Sequence, residues 1–281
     1  MDVLEVKNLC KRYSAFTLNH VSFQLEEGKI TGCIGRTGAG KSTTLKSMFG
    51  FVHPDAGEIF FFGKEFGENE LEIKQKVGYV SGGVDYYPKK KLKSITAVTK
   101  AFYRDWDEKA YRQYMELFGL DENKTPSELS EGMKVKYALT IALSHNAKLL
   151  VLDEPTSGLD PISRDELLDI FMELADKRIT ILFSTHITTD LDRCADNIIY
   201  IRNGEIKAEE RLSDFVQNYR LVEFIGNGPT EEQKEHLIGC KRSKEGYTAL
   251  VRAEDAELFV GRLKPADIET IMIHLEKEGD R

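Results

Sequence analysis

No stretch of this sequence is long and apolar enough to cross a bilayer. A spanning helix needs about 20 predominantly apolar residues, and the longest apolar runs, around 148–153 and 179–183, have the length of buried strands. Cysteine is scarce. Cys10, Cys33, Cys194 and Cys240 stand apart without CxxC spacing, which fits neither a zinc cluster nor a disulfide framework and suggests a reducing compartment. Cys33 lies in an apolar stretch and reads as a small core residue. The opening residues, Met1-Asp2-Val3-Leu4-Glu5, lack the basic and apolar regions of a secretion signal. Clustered positive charge is wanting as well. The formal net charge is −8, which argues against a nucleic-acid partner, since phosphate neutralisation needs a basic surface. The local run Lys89-Lys90-Lys91 with Lys93 reads as a solvated loop. There is no internal repeat and no low-complexity segment. What is present is ordinary globular material, 41% hydrophobic and 31% charged over 281 residues, enough for one large domain or a medium domain with an appendage.

The order of elements indicates an α/β fold. Val3, Leu4 and Val6, then Leu18, Val21, Phe23 and Leu25, alternate with polar residues, as strands with one wet face do. Ile30 to Ile34 is a denser run ending in glycine, and Lys41 through Phe49 takes helical spacing. Gly50, Pro54 and Gly57 break it before a strand at 58–62. From about 84 to 148 the chain reads as a helical insert, with Ile95, Val98, Ala101 and Phe102 and later Tyr111, Tyr114, Met115 and Phe118 at helical intervals. Leu149–Leu152 and Ile179–Phe183 read as buried strands flanking a helix from Arg164 to Lys177, and Asn203-Gly204 as a hairpin turn. Alternating strands and helices argue for a parallel sheet, preceded here by an antiparallel region. Beyond about 212 the signal weakens to strands at 221–225 and 247–252 and a helix at 266–275, a small α+β appendage over 213–281.

The chemistry is concentrated in two places. Gly35-Arg36-Thr37-Gly38-Ala39-Gly40-Lys41-Ser42, followed by Thr43, matches G-x-x-x-x-G-K-[ST] between a buried strand and a helix. Glycines let successive N–H groups wrap phosphate oxygens, and the helix adds its positive end. Lys41 would reach the β- and γ-phosphates and Ser42 would hold Mg²⁺. The second place is Leu149-Leu150-Val151-Leu152-Asp153-Glu154, where two carboxylates emerge at the ligand-binding end of a buried strand. Asp153 is expected to hold Mg²⁺ and Glu154 to polarise the attacking water. The cofactors expected are therefore ATP and Mg²⁺.

With those anchors in place, the sequence resembles the ATP-binding cassette (ABC) family over roughly residues 1–212. Leu129-Ser130-Glu131-Gly132-Met133 looks like the family signature, Ser157-Gly158-Leu159-Asp160 like its D-loop, His186 like its switch histidine, and Tyr13 like the aromatic that stacks on adenine. The resemblance implies a P-loop NTPase cassette: a parallel sheet core, an antiparallel β region and a helical subdomain at about 84–148 that docks on a permease. It implies a head-to-tail dimer, with itself or a related cassette, in which Ser130, Gly132 and Asp160 contact the ATP held by the partner. It also implies a catalytic set of Lys41, Glu154 and His186, and a place on the cytoplasmic face of the membrane through a separate permease chain.

Two departures stand out. Val77-Gly78-Tyr79-Val80-Ser81-Gly82 places glycine where the family usually has glutamine, a gap that Ser81 or Asp85 could fill, and Glu131 replaces the first glycine of the signature. Slow or partner-controlled turnover is the expectation. The signature variant, the missing membrane span and the small appendage together look like exporters of peptides, antibiotics or other amphiphiles. A non-transport or regulatory ABC ATPase is the alternative. DNA-repair members carry a long coiled coil between P-loop and signature, but here about ninety residues separate the two.

Overall fold

The continuous apolar runs become the centre of a parallel sheet. In the computed structural model, which describes residues 2–82, 86–226, 228–259 and 262–278, the chain opens with β1 (Asp2–Arg12), β2 (Thr17–Glu26), β3 (Ile30–Ile34) and α1 (Lys41–Met48). There follow β4 (Ala56–Phe61), β5 (Lys64–Glu65), α2 (Phe66–Lys74) and β6 (Val77–Ser81). Three helices come next, α3 (Leu92–Lys100), α4 (Glu108–Leu117) and α5 (Glu131–Ser144). Then come β7 (Leu149–Asp153), α6 (Pro161–Asp176), β8 (Thr180–Thr185), α7 (Thr188–Cys194), β9 (Asn197–Arg202) and β10 (Glu205–Arg211). The six-stranded sheet has the order β10-β9-β3-β8-β7-β6, and β3, β6, β7, β8 and β9 pair in parallel. Every residue of β3, β7 and β8 is buried, as expected when both faces of a parallel sheet are covered.

The alternating segment forms the antiparallel sheet β2-β1-β4-β5. Its inward residues (Leu4, Val6, Leu9, Leu18, Val21, Phe23, Leu25) share one core with Leu45, Met48 and Phe49 of the α1 region. That shared core seats α1 against the end of β3, where the glycine-rich loop lies.

The helical insert comprises the three helices α3, α4 and α5. The chain leaves helical geometry after Lys100 and re-enters at Glu108, because the Asp107 carboxylate accepts from the N–H groups of Lys109 at 2.8 Å and Ala110 at 3.0 Å, a helix-starting cap. α3, α4 and α5 surround Leu92, Ile95, Tyr111, Met115, Tyr137 and Ile141. Inside, the Thr96 hydroxyl lies 3.1 Å from that of Tyr111 and 2.8 Å from that of Tyr137. The insert's aromatics are mostly consumed by this packing. Tyr111 is buried, Trp106 and Phe118 pack on the cluster, and Tyr103 stacks on His145 with centroids 3.8 Å apart. Phe102 stands out at 73% exposed.

Two compact units divide the chain, one of Met1–His186 with Arg193–Glu209 and one of Ile187–Asp192 with Glu210–Arg281. The second contains α8 (Leu212–Gln217), β11 (Tyr219–Ile225), α9 (Glu231–Lys234), β12 (Ile238–Arg242), β13 (Gly246–Arg252), β14 (Leu263–Pro265) and α10 (Ile268–Glu278). Its sheet runs β12-β13-β11-β14, all antiparallel, over Val222, Phe224, Val251 and Phe259.

Candidate active site

The glycine-rich loop is shaped by positions that favour glycine. Gly38 and Gly40 have φ of +85° and +115°, left-handed values that L residues adopt at a cost. A Cβ at Gly35 would lie 2.2 Å from the Ile201 carbonyl oxygen of β9. No side chain caps α1, so the positive end of the helix is kept for an anion. Lys41 is 5% exposed. Its Nζ donates to the Gly35 carbonyl at 2.7 Å and the Arg36 carbonyl at 3.3 Å, so the lysine folds back over the loop that precedes it.

The parallel register then delivers the carboxylates. Ser42 Oγ donates to Asp153 Oδ1 at 2.9 Å, joining the start of α1 to the end of β7. A hydroxyl and a carboxylate are the hard oxygen donors that Mg²⁺ accepts while keeping most of its shell for phosphate and water. No cluster of three or more His, Cys, Asp or Glu suited to a metal occurs among the described residues, so a cation here would depend on such added oxygens. Glu154 has φ of +51°. Its Oε1 lies 3.3 Å from Lys41 Nζ and its Oε2 lies 2.8 Å from His186 Nδ1. Behind this group burial, with the charge of Asp153 adding to it, pushes the Tyr79 phenol up to about 12, which keeps it protonated. Burial likewise pushes the Cys33 thiol up to about 12, consistent with a core residue and not a nucleophile.

These groups open on a cleft of about 520 Å³. Tyr13, 43% exposed, and Phe16 form one wall, and Thr37, Gly38, Gly40, Lys41, Ser42, Thr43, Glu154 and His186 line the rest. Gly35, Arg36 and Ala39 complete the loop without lining the cleft, Ala39 being 6% exposed. Three expected residues stand apart from it. Ser130 caps α5 by accepting from Met133 N–H at 3.3 Å, and Asp160 caps α6 by accepting from Ile162 N–H at 3.0 Å. Gly132 is close enough that a Cβ there would lie 3.5 Å from Ser163 Cβ and 3.7 Å from Leu159 Cδ2, so the signature-like and D-loop-like segments adjoin on their own surface. Glu131 turns to Lys134, 2.8 Å away, and its charge is paired.

Gly82 has φ of +61° and open space where a side chain would begin. Ser81 is exposed, and Asp85 lies outside the described residues. Two residues not singled out from the sequence belong to the site, Phe16, which lines the cleft, and Ser184, which bonds to Asp153; Ser157 of the D-loop-like segment also lines the cleft. Phe16 carried a faint signal, an aromatic three residues from Tyr13; Ser184 carried none.

Comparison with known proteins agrees with this geometry. A model of the ABC transporter family matches residues 18–157. The bacitracin transport ATP-binding protein BcrA of Bacillus licheniformis is 31% identical over 227 residues, covering 79% of this chain and 74% of that protein. The Nod factor export ATP-binding protein I of Burkholderia orbicola is 30% identical over 292 residues, covering 97% and 96%. A solved ATP-binding subunit of an ABC transporter superposes with a TM-score of 0.68 at 30% identity, over 75% of this chain and 91% of that one.

Proposed function

The chain belongs to the ABC transporter family as an ATP-hydrolysing, ATP-binding subunit, and on that premise we propose that it powers export of a peptide, antibiotic or other amphiphile through a separate permease chain. The names of its relatives support the export reading, one being a bacitracin transport subunit and another a Nod factor export subunit. None of the described helices is long and apolar enough to cross a membrane; in this reading the permease chain forms the pathway and this subunit works at its cytoplasmic face.

In this reading adenine stacks on Tyr13 beside Phe16 and the phosphates lie along Gly35–Thr43. Mg²⁺ held through Ser42 and Asp153 would neutralise phosphate charge. Lys41 exchanges its contact with Glu154 for the γ-phosphate. Glu154, still held by His186, then accepts a proton from the attacking water as general base. Ser130, Gly132 and Asp160, which do not line this chain's own cleft, complete the cleft of a second cassette, identical or related. ATP is then part of the interface, and its hydrolysis opens the dimer.

The observation that carries this reading is the position of Glu154 at the cleft's end, gripped on one oxygen by Lys41 at 3.3 Å and on the other by His186 at 2.8 Å. The test is purification of the tagged chain from its native membranes, with ATPase activity measured alone and with the co-purified membrane protein, using bacitracin as the first probe. A polytopic partner that raises turnover supports the proposal. A chain that captures no membrane protein and hydrolyses ATP at an unchanged rate with the membrane fraction overturns it in favour of the non-transport reading.

A further inference from the structure

Ser184 has no place in any motif read from the sequence, yet its hydroxyl touches both acidic residues of the site. It lies on β8, in register with Asp153 of β7, and it is fully buried at 0% exposure. A buried hydroxyl is tolerated only when hydrogen-bonded. Here the partners are functional groups. Ser184 Oγ donates to Asp153 Oδ1 at 2.7 Å and accepts from the Glu154 backbone N–H at 2.9 Å.

Each bond answers a specific need. Asp153 Oδ1 receives two hydroxyls from different elements, Ser184 from β8 and Ser42 from α1 at 2.9 Å. Two donors on one oxygen fix the rotation of the carboxylate, so its orientation is set before a cation arrives. Glu154 has a different need, since its φ of +51° is a conformation that a non-glycine residue holds only where its surroundings impose it. The hydrogen bond from its amide to Ser184 is such an imposition. Two residues further on, His186 holds Glu154 Oε2 at 2.8 Å. The end of β8 thus grips Glu154 at its backbone through one side chain and at its carboxylate through the other.

We infer that Ser184 is a positioning residue for ATP hydrolysis: its hydroxyl orients Asp153 toward the cation and locks the backbone turn that aims Glu154 at the attacking water. The inference rests on the reading of Asp153 as the Mg²⁺ acid and Glu154 as the base.

Two variants test it. Ser184→Ala removes the hydroxyl, and Ser184→Cys keeps the volume while offering only a weak donor and acceptor. In both, ATP binding in EDTA should match the wild type, while the melting transition should fall modestly because buried hydrogen bonds are lost. The Mg²⁺ concentration for half-maximal ATP binding should rise and kcat should fall, each by about 10–100-fold, as for other residues that orient metal ligands. A Ser184→Cys protein with wild-type kcat and Mg²⁺ dependence would show that the residue merely fills space and would overturn the inference. Equal loss of ATP binding with and without Mg²⁺ would overturn it too. Glu154→Gln serves as the separate control. It should abolish turnover while leaving the Mg²⁺ dependence of ATP binding intact, so a failure of the base assignment is distinguishable from a failure at Ser184.

Discussion

Glu154 answers to three neighbours at once: the buried ammonium of Lys41, the imidazole of His186 and the amide-binding hydroxyl of Ser184. Replacing its carboxylate with an amide keeps the backbone and the size of the group but removes the proton acceptor. Glu154→Gln should therefore bind ATP and lose about 10²–10⁴-fold in turnover; an unchanged steady-state ATPase rate would refute its role as base. Gly82 poses the opposite question, since the family resemblance places glutamine there. Its φ of +61° makes Gly82→Gln a poor test, because the left-handed backbone alone would cost roughly 1–2 kcal/mol. Asparagine tolerates that conformation better, and the open space around Gly82 admits it. If the missing polar contact limits basal hydrolysis, Gly82→Asn should raise the partner-free rate or lower the Mg²⁺ requirement, by up to roughly tenfold. A variant that improves neither would end that explanation of slow turnover.

At the scale of elements, what was legible in the sequence was whatever chemistry sits in consecutive residues. The glycine-rich loop, the Asp153-Glu154 pair and the strands β3, β7 and β8 are each written as one uninterrupted string, and the alternation of β1 and β2 follows from one wet face. Contacts made across elements were not legible. Ser184 meets Asp153 only because two parallel strands are in register, and Tyr103 meets His145 only because the chain turns after α3. The break between α3 and α4 is not readable from the sequence because residues 101–107 are compatible with a helix; contacts across the chain, such as Arg104 N–H to Gln75, hold the connection, and the Asp107 carboxylate starts α4. The same limit applied to the aromatics of the insert, whose spacing did not say which faced inward. Among the exposed apolar residues of the insert, which also include Tyr86, Tyr87 and Leu117, the docking surface is proposed at the end of α3, where Val98 is 61% and Phe102 73% exposed. Phe102→Glu combined with Val98→Glu should leave ATP affinity intact and shift stability by no more than about 0.5 kcal/mol, as surface changes do. The same protein should fail to co-purify with its membrane partner. If the partner still comes through, the docking surface lies elsewhere.

For the whole molecule, each of the two units contains a histidine kept neutral by burial. His145 is 2% exposed, with Nδ1 3.1 Å from the Gln75 carbonyl and its ring stacked on Tyr103. His274 is 1% exposed, with Nδ1 2.6 Å from the Gly239 carbonyl and Nε2 3.4 Å from Thr248 Oγ1. Both carbonyls can only accept, so both Nδ1 atoms donate, and the proton gained on acidification would go to Nε2. Burial lowers both pKa values below the ordinary 6.5, and the charges of Lys241 and Lys277 lower that of His274 further. The unfolded chain therefore takes up these protons first as pH falls. The stability linked to each histidine is complete above about pH 6.5 and is lost below it, until the pH reaches the folded-state pKa. The slope per histidine is at most about 1.4 kcal/mol per pH unit. Carboxylates held below their usual range by hydrogen bonds, such as Asp267 through Thr270, contribute with the same sign but only below their ordinary 3.8, so the two windows separate. Thermal melts between pH 8 and 5 should show a midpoint that is flat down to about 6.5 and then declines. The double variant His145→Gln/His274→Gln, which cannot take up those protons, should decline less over the same interval. Parallel curves for the two proteins would show that the acid sensitivity arises from other groups.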